Sequence, residues 1–327
     1  MKISLRQLLG LALAVLSLVA ALFPSGNGAW SQSPRTIKLV VAAPPGGVSD
    51  TLARILADQI ARMHAVTMIV ENRPGGSTAI GTEAVARATP DGNTLLINVP
   101  PFVINPHLRK VNYDALTSFE PICNLVRTPQ LVVVNASSPY RVLGDLLNAA
   151  RTNPGALTLA ASGPATTVHI AFEMLKRAAG VNMTFIPYPG DAPAVNALLG
   201  GHVTSAFSPY TGIAEQLKVG KLRALATSSS ERSSVVPEVP TLTESGYDDI
   251  EIDFWQGVIA PAHTPKETVA RLVDWFSAVL RVPEAKDKLI PLGLYPIGIC
   301  GADFTAHIRK QYQTFGRIIR EANIKVD

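Results

Sequence analysis

The sequence predicts an α/β protein made of two lobes, each with a mainly parallel sheet flanked by helices, and a hinge formed by two crossings of the chain. Three observations predict this fold class. Short β-rich runs alternate with helical patterns along the chain, and turns that contain glycine or proline separate them. The last two helical patterns carry apolar stripes that need the first sheet as a packing partner.

The first lobe is predicted to comprise residues 32–135 and 251–327. It opens with the β-rich run Ile37–Val41, which meets a glycine turn, and Leu52 and Ile60 belong to the apolar stripe of the helix that follows. The later elements expected in this lobe are a strand at 67–70, a helix at 79–88, strands at 94–98, 131–134 and 250–259, and helices at 267–280 and 304–320.

The second lobe is predicted to comprise residues 136–250, after the linker-like stretch 135–139. The chain is therefore expected to cross between the lobes near residues 135–140 and again near 245–254. Two crossings form a hinge, and a hinge between two lobes forms a cleft. The elements expected in this lobe are helices at 143–151, 167–179, 193–199 and 212–219, and strands at 157–160, 183–186, 203–207 and 224–227.

The first residues of the chain predict a secretory signal peptide. Lys2 and Arg6 precede an apolar run, Leu8–Leu22, which small residues follow. The run is about 15 residues long, whereas a membrane-spanning helix needs roughly 20. We expect residues 1–31 to be the signal peptide, with cleavage near Ser31, and an uncleaved membrane anchor is the alternative.

Composition argues against a nucleic acid partner. The formal net charge is only +4, and no cluster of Lys and Arg or ladder of aromatic residues accompanies it. The two cysteines, Cys123 and Cys300, form either one disulfide or two buried thiols. The sequence has no nucleophile elbow, zinc-protease, phosphate-loop or dinucleotide motif, and its histidines lack metal-ligand spacing, so we expect no cofactor and no metal.

The turn after the first strand is a candidate anion site. Paired glycines let the backbone approach a ligand closely, and the first amides of the following helix have no intrahelical acceptor, so they attract anions together with the helix dipole. A plain tight turn with Ser49 or Asp50 as the helix cap is the alternative. The ligand-binding residues predicted here are Gly46, Gly47, Val48, Ser49 and Asp50.

A second candidate turn follows the strand at 157–160 and opens the helix at 167–179. One hydroxyl is enough to cap a helix, which leaves other hydroxyls free to donate to a carboxylate. We interpret His169, one turn further on, as a structural residue. The ligand-binding residues predicted here are Ser162, Gly163, Thr166 and Thr167.

The turn Tyr188–Pro193 is again a passage from strand to helix. Capping of the helix is the ordinary interpretation of Asp191. The functional alternative is that its carboxylate meets an amino group or a hydroxyl of the ligand. Tyr188 and Asp191 complete the predicted site.

A series of motifs occurs in order along nearly the whole chain after the signal peptide, each weak alone and specific in combination. They are Pro44–Asp50, Val70–Gly76, Pro90–Leu96, Asn105–Pro106, Ala161–Gly163, Thr166–His169, Pro187–Gly190, Leu199–Gly201, Gly220–Ala226, Val239–Leu242 and Ala260–Ala262. Together they resemble the Bug family, the TctC-like periplasmic solute-binding components of tripartite tricarboxylate transporters.

This resemblance implies a type II periplasmic-binding-protein fold that closes on an organic acid or related solute such as an amino acid, and a membrane permease as the partner. In that family the first glycine loop and the second-lobe helix start hold one ligand carboxylate, partly through ordered water, which implies the same two turns here. Three positions depart from the family: Ala165 replaces a usual glycine, Pro189 a common lysine or arginine, and Ser205 a frequent aspartate.

We therefore expect a periplasmic binding protein that captures a small carboxylate-bearing solute and catalyses no reaction. One alternative is a secreted α/β hydrolase or isomerase, with Asp50, His169 and Asp191 as its acid and base groups. Another is a periplasmic sensor that presents the bound ligand to a signalling receptor. The sequence does not name the solute.

Overall fold

The computed structural model describes residues 36–163, 166–248, 250 and 252–325. The predicted signal peptide, residues 1–31, lies outside the described residues. Among the helices that the structure describes, none is both long and apolar enough to cross a bilayer. The described chain forms two sheets flanked by helices.

The chain first builds most of one sheet through two strand–helix–strand units and a long final strand. Each of these strands contains β-branched residues, and most of the turns between elements contain glycine or proline. The elements are β1 Thr36–Val41, α1 Val48–His64, β2 Thr67–Asn72, α2 Ala79–Ala86, β3 Thr94–Asn98, α3 Pro101–Ile104 and β4 Phe119–Thr128.

It then passes to the second sheet and completes it without interruption. The elements of this part are β5 Gln130–Asn135, α4 Leu143–Thr152, β6 Thr158–Ser162, α5 Thr167–Ala179, β7 Thr184–Tyr188, α6 Asp191–Leu199, β8 Ser205–Pro209, α7 Tyr210–Lys218 and β9 Leu222–Thr227. The order of strands in this sheet is β7-β6-β8-β5-β9.

The last part of the chain returns to the first sheet. Its elements are β10 Phe254–Pro261, α8 Lys266–Val279, α9 Pro283–Leu289, β11 Tyr295–Cys300 and α10 Ala302–Glu321. The completed order is β11-β4-β10-β3-β1-β2. Both α8 and α10 contact β4, so the prediction that the C-terminal helices pack back on the first sheet is confirmed.

The sheets are mixed, which corrects the prediction of mainly parallel sheets. In the first sheet β1 is parallel to β2 and β3, but β10 is antiparallel to β3 and β4, and β11 to β4. In the second sheet β6 is parallel to β7 and β8, whereas β5 is antiparallel to β8 and β9. The antiparallel strands include β5 and β10, which carry the chain from one sheet to the other and back.

The first crossing lies earlier than predicted. The strand expected at 131–134, which was assigned to the first lobe, is β5, and it lies between β8 and β9 of the second sheet. Only Pro129 separates it from β4. The stretch 135–140 is a turn between β5 and α4, where the Asn135 side chain accepts from the Ser137 amide at 3.0 Å. The first-lobe boundary at residue 135 is therefore wrong by one strand.

Two strands of the first sheet were not predicted. In β4 the residues Pro121, Asn124 and Arg127 interrupt the alternation of apolar and polar side chains, and the pairing with β10 contains two irregularities. In β11 Pro296 and Gly298 do the same. Both segments lack the pattern of a strand, so pairing with their neighbours, rather than local sequence, defines them.

The apolar side chains form cores on both faces of both sheets. One core packs the first sheet against α1 and α8, and another packs the second sheet against α6 and α7. A third is continuous across the two sheets and joins the aromatic side chains of α10 to the apolar face of α5. Side chains of this third core include Phe102, Val132, Phe172, Trp255, Phe304 and Phe315.

Cys123 and Cys300 form a disulfide, which resolves the alternative that the sequence left open. The two residues are direct partners in the register of β4 and β11, and 177 positions separate them in the sequence. Structural disulfides persist in oxidising compartments outside the cytoplasm, in agreement with the expected export.

Replacing both cysteines with alanine is expected to lower the free energy of unfolding by about 2–5 kcal/mol, because the crosslink closes a long loop in the unfolded chain. Urea unfolding of the wild type and of the Cys123→Ala/Cys300→Ala protein measures the difference. Dithiothreitol should reproduce the loss in the wild type and leave the double variant unchanged. A double variant as stable as the wild type would contradict this assignment.

Candidate functional site

The first predicted turn is an exposed glycine loop that ends at the start of α1. Gly46 has a φ of +81°, a conformation that favours glycine. Gly47 is the N-cap of α1, and no side chain caps the helix. Pro44 to Gly47 are exposed, while Val48 and Ser49 are half-buried. The loop thus presents the first amides of α1 with no side-chain acceptor in place, as an anion site requires.

Asp50 supports this loop from beneath. Its Oδ2 atom accepts hydrogen bonds from the Gly46 amide and from Nε of Arg54, both at 2.9 Å. The hydrogen bond from Arg54 holds the pKa of the Asp50 carboxyl below its usual value, against the opposing effect of burial. The alternative that Ser49 or Asp50 caps α1 is therefore wrong. Asp50 acts as a positioning residue for the loop.

Two neighbours that the sequence analysis missed complete this support. The Asn72 side chain, at the end of β2, donates to the carbonyl of Ala43 at 3.1 Å, and Arg54 lies one turn after Asp50 on α1. The spacing of four residues between an aspartate and an arginine on a predicted helix was the available signal for the Arg54 contact. No comparable signal links Asn72 to the loop.

The second predicted turn joins β6 to α5. Thr166 is the N-cap of α5, where its hydroxyl accepts from the His169 amide at 3.4 Å and donates to the carbonyl of Gly163 at 3.3 Å. Thr167 is buried. The Thr166 hydroxyl therefore already caps the helix, and a ligand contact there would compete with or extend that role.

The structure brings the second and third turns together. Ser162 and Tyr188 are register partners at the ends of β6 and β7, and the Gly163 amide donates to the Tyr188 carbonyl at 2.8 Å. A hydrogen bond from Ser162 to Asp191 tends to lower the pKa of that carboxyl. The predicted second-lobe residues thus form one cluster at the carboxyl ends of two parallel strands, where α/β sheets bind ligands.

Asp191 does not cap its helix. Gly190 is the N-cap of α6, and no side chain caps that helix, so the ordinary interpretation of Asp191 is wrong. One carboxylate oxygen, Oδ1, is buried and has no hydrogen-bond partner within the part of the chain that the structure describes. Burial raises the pKa of Asp191 and outweighs the Ser162 hydrogen bond. An unpaired buried acceptor of this kind fits a donor from a ligand.

His169 is a structural residue, as we interpreted it from the sequence. Its ring stacks on Phe185 with a centroid separation of 3.9 Å, and its Nε2 atom lies 4.0 Å from Glu173. Burial lowers the pKa of His169, against the opposing effect of Glu173. Its contacts stabilise the packing of α5 on β7.

Two mixed sheets, two crossings between them and glycine-rich or hydroxyl-rich turns where helices begin define the class of two-lobed binding proteins. The family model for the tripartite tricarboxylate transporter family receptor, TctC, matches residues 52–324. The chain belongs to this family. A protein of Pseudomonas sp. (strain P51), UPF0065 protein in tcbD-tcbE intergenic region, is 35% identical over 266 residues, which cover 81% of this chain and 79% of that protein.

Solved structures agree with the assignment. The periplasmic binding protein BugD is 33% identical, with a TM-score of 0.75 over 90% of this chain and 99% of that one. Rpa4515 of R. palustris, solved with adipate, is 30% identical, with a TM-score of 0.78 over 90% of this chain and 99% of that one. The predicted two-lobed periplasmic-binding-protein fold is confirmed.

The Asp50→Asn change is expected to lower the free energy of unfolding by about 1 kcal/mol at pH 7, because it removes the charge from partly buried hydrogen bonds to Gly46 and Arg54. The matched control is Asp58→Asn. Asp58 pairs with Arg62 in the same helix and with the same spacing, but it is 43% exposed, so its loss should be below about 0.5 kcal/mol. Urea unfolding of both variants measures the difference.

This contribution of Asp50 depends on pH with a defined sign. The folded-state pKa lies below the unfolded value, so the stabilisation is complete above about pH 4 and is lost as the pH falls through the folded-state pKa. The difference in the free energy of unfolding between the wild type and Asp50→Asn should therefore become smaller in acid. A gap that stays constant down to the lowest pH at which the protein folds, or an equal loss in Asp58→Asn, would contradict the positioning role.

Proposed function

We propose that the protein is an extracytoplasmic receptor that captures a small carboxylate-bearing solute in a cleft between its lobes and delivers it to the membrane permease of a tripartite tricarboxylate-type transporter. Membership of the receptor family over residues 52–324 supports the transport role. The adipate in the R. palustris relative supports a carboxylate as the solute class. Export through cleavage of residues 1–31 is part of this proposal.

The observation that carries the ligand class is the uncapped start of α1 at the exposed glycine loop. Its free amides and the positive end of the helix dipole favour a negative group without requiring a basic side chain. We assign to the first lobe Gly46, Gly47, Val48 and Ser49 as backbone and hydroxyl contacts. Asp50 holds the loop in place.

The second lobe supplies the opposing contacts in this proposal. Ser162, Gly163, Thr166 and Thr167 lie at the start of α5, and Tyr188 and Asp191 lie beside them on the neighbouring turn. A ligand that contacts both lobes stabilises their closed arrangement through contacts that the open one lacks. Closure on the solute is then the signal that the permease reads.

The alternative of a secreted hydrolase or isomerase loses two of its three candidate acid and base groups, Asp50 and His169, and keeps only Asp191. Asp50 is engaged by Arg54, and His169 is stacked on Phe185. The family is one of solute receptors. A sensory role would use the same fold and ligand. A permease gene beside the gene for this protein would support transport, whereas a sensor kinase gene there would support sensing.

A thermal-shift screen of the chain without residues 1–31 tests the solute class, with adipate, succinate and citrate against adipamide, which lacks the charge. A ligand at about 100 times its Kd should add about 2.7 kcal/mol of stability. We expect a saturable rise in the melting temperature for at least one acid and none for adipamide. No shift with any small carboxylate would contradict the proposed function.

The Thr166→Val change should abolish this ligand-induced shift while the protein without ligand stays folded. The matched control is Thr241→Val. The Thr241 hydroxyl likewise accepts a hydrogen bond from the backbone amide three residues later, that of Glu244, at 2.9 Å. Thr166→Val should lose about 1 kcal/mol through its helix cap, and Thr241→Val about as much through its turn hydrogen bond. Only Thr166→Val should lose the ligand response. An unaltered shift would remove Thr166 from the site.

Asp191→Asn should weaken binding of L-aspartate more than binding of succinate. The two acids have the same two carboxylates, but only L-aspartate has an ammonium group, which can donate a hydrogen bond to the unpaired Asp191 oxygen. Calorimetric titration measures both affinities, and Asp145→Asn, at an exposed helix start, is the control. Loss of a charge-assisted hydrogen bond should cost roughly tenfold in Kd for aspartate. Equal losses for the two acids would show that Asp191 does not contact the ammonium.

A further inference from the structure

The solvent-exposed side of α10 is positively charged. Arg309, Lys310, Arg317 and Arg320 are all exposed. Successive residues of a helix are rotated by about 100° and rise by about 1.5 Å, so these four side chains lie within an arc of about 100° and along about 16 Å of the helix. In the sequence they are up to seven positions apart, which is why they do not form a visible basic run.

A neighbouring turn extends this positive charge. The His107 Nε2 atom lies 2.9 Å from the carbonyl oxygen of Tyr312, so the turn after α3 lies against the middle of α10. Burial, with a smaller contribution from the positive charge of Arg320, lowers the pKa of His107, which places Arg320 close to this turn. Arg109 and Lys110 follow in the turn and are both exposed. We call these two residues and the four of α10 the cationic surface.

Acidic residues on α10 lie at its two ends. Residues 304–320 include no aspartate or glutamate. Glu321, which follows them, already pairs with Arg177 of α5 at 2.8 Å and lies 3.9 Å from Arg317. Asp303, which precedes them, lies about two turns before the first basic residue of the cationic surface. The middle of the helix therefore has no negative charge of its own to balance its basic side chains.

The basic side chains of the cationic surface are mostly unpaired. Of the six, only Arg317 has an ion pair among the described residues, with Glu321. Beside the turn, Glu83 accepts a hydrogen bond from the Asn112 side chain at 3.0 Å and pairs with Arg87 at 3.7 Å, so it is engaged elsewhere. Like charges gathered on one surface repel one another, and a negatively charged partner relieves that repulsion.

The composition of the cationic surface favours an anionic lipid surface over a folded protein as that partner. Protein interfaces depend on apolar or aromatic side chains that become fully desolvated at their centre. Among the large apolar side chains that the structure describes as exposed, none belongs to α10 or to the turn 107–110. Long basic side chains spread over about 16 Å of helix instead suit many separate anionic head groups, as an anionic bilayer presents them.

We propose that the cationic surface holds the protein against the anionic phospholipids of the membrane that contains its permease. The contact is peripheral and electrostatic: lipid phosphates accept hydrogen bonds from the guanidinium and ammonium groups, and no apolar side chain inserts. None of the predicted ligand-binding residues belongs to this surface, so the cleft stays accessible. Holding the receptor at the membrane raises its effective concentration at the permease. The inference rests on the proposed extracytoplasmic location, but membrane binding requires no solute.

The test is cosedimentation with sucrose-loaded vesicles of the chain without residues 1–31, so that the apolar run of the signal peptide does not contribute. The anionic vesicles contain phosphatidylethanolamine with about one quarter phosphatidylglycerol, and the neutral vesicles contain phosphatidylcholine. We expect binding to the anionic vesicles at about 20 mM salt and its loss at about 500 mM salt, where the Debye length is roughly 4 Å. The neutral vesicles should not bind the protein.

A matched pair of double variants locates the contact. Each Lys or Arg near an anionic bilayer strengthens binding about fivefold, so Arg309→Gln/Arg320→Gln should weaken binding to the anionic vesicles about 25-fold. Lys286→Gln/Lys288→Gln removes the same two charges from α9, where acidic residues accompany exposed lysines, and should change the binding less than about twofold. If the first double variant does not fold, Lys310→Gln/Arg317→Gln takes its place.

No binding to the anionic vesicles, equal binding to the neutral ones, or an equal loss in the two double variants would each overturn the inference. Binding to poly-L-glutamate without binding to vesicles would assign the cationic surface to an acidic protein and would overturn it as well. A ligand-induced thermal shift without vesicle binding would refute this inference and leave the proposed solute class intact. Vesicle binding without any thermal shift would support this inference and refute the solute class alone.

Discussion

The two passages of the chain between the sheets are the constraint on which the rest of the structure depends. At the first passage only Pro129 separates β4 from β5. The second passage, between β9 and β10, is tied to the first because the Ser228 amide donates to the carbonyl of Gln130 at 3.0 Å. Within the second passage the Ser229 hydroxyl donates to Asp253 at 2.6 Å. Pulling these passages apart would leave buried polar groups unpaired. These hydrogen bonds therefore hold the two passages side by side at the junction.

The junction also explains which parts of the fold the sequence predicted. The inner strands of the strand–helix–strand units, such as β1 and β6, have a local apolar pattern, since their side chains contribute to cores on both faces of the sheet. The strands β4 and β11 are defined by pairing with segments distant in sequence. Their prolines and polar residues interrupt the apolar pattern by which a strand is recognised in a sequence. The strand Gln130–Asn135 was predicted, but its sheet was not, because apolar strands of both sheets look alike.

The candidate site was predictable to the extent that it is local. Glycine turns and hydroxyls at helix starts are visible within a few residues, and the structure places Ser162 and Tyr188 side by side because parallel strands end at one edge of a sheet. The role of Asp50 was not visible, since it depends on the direction in which the side chain turns.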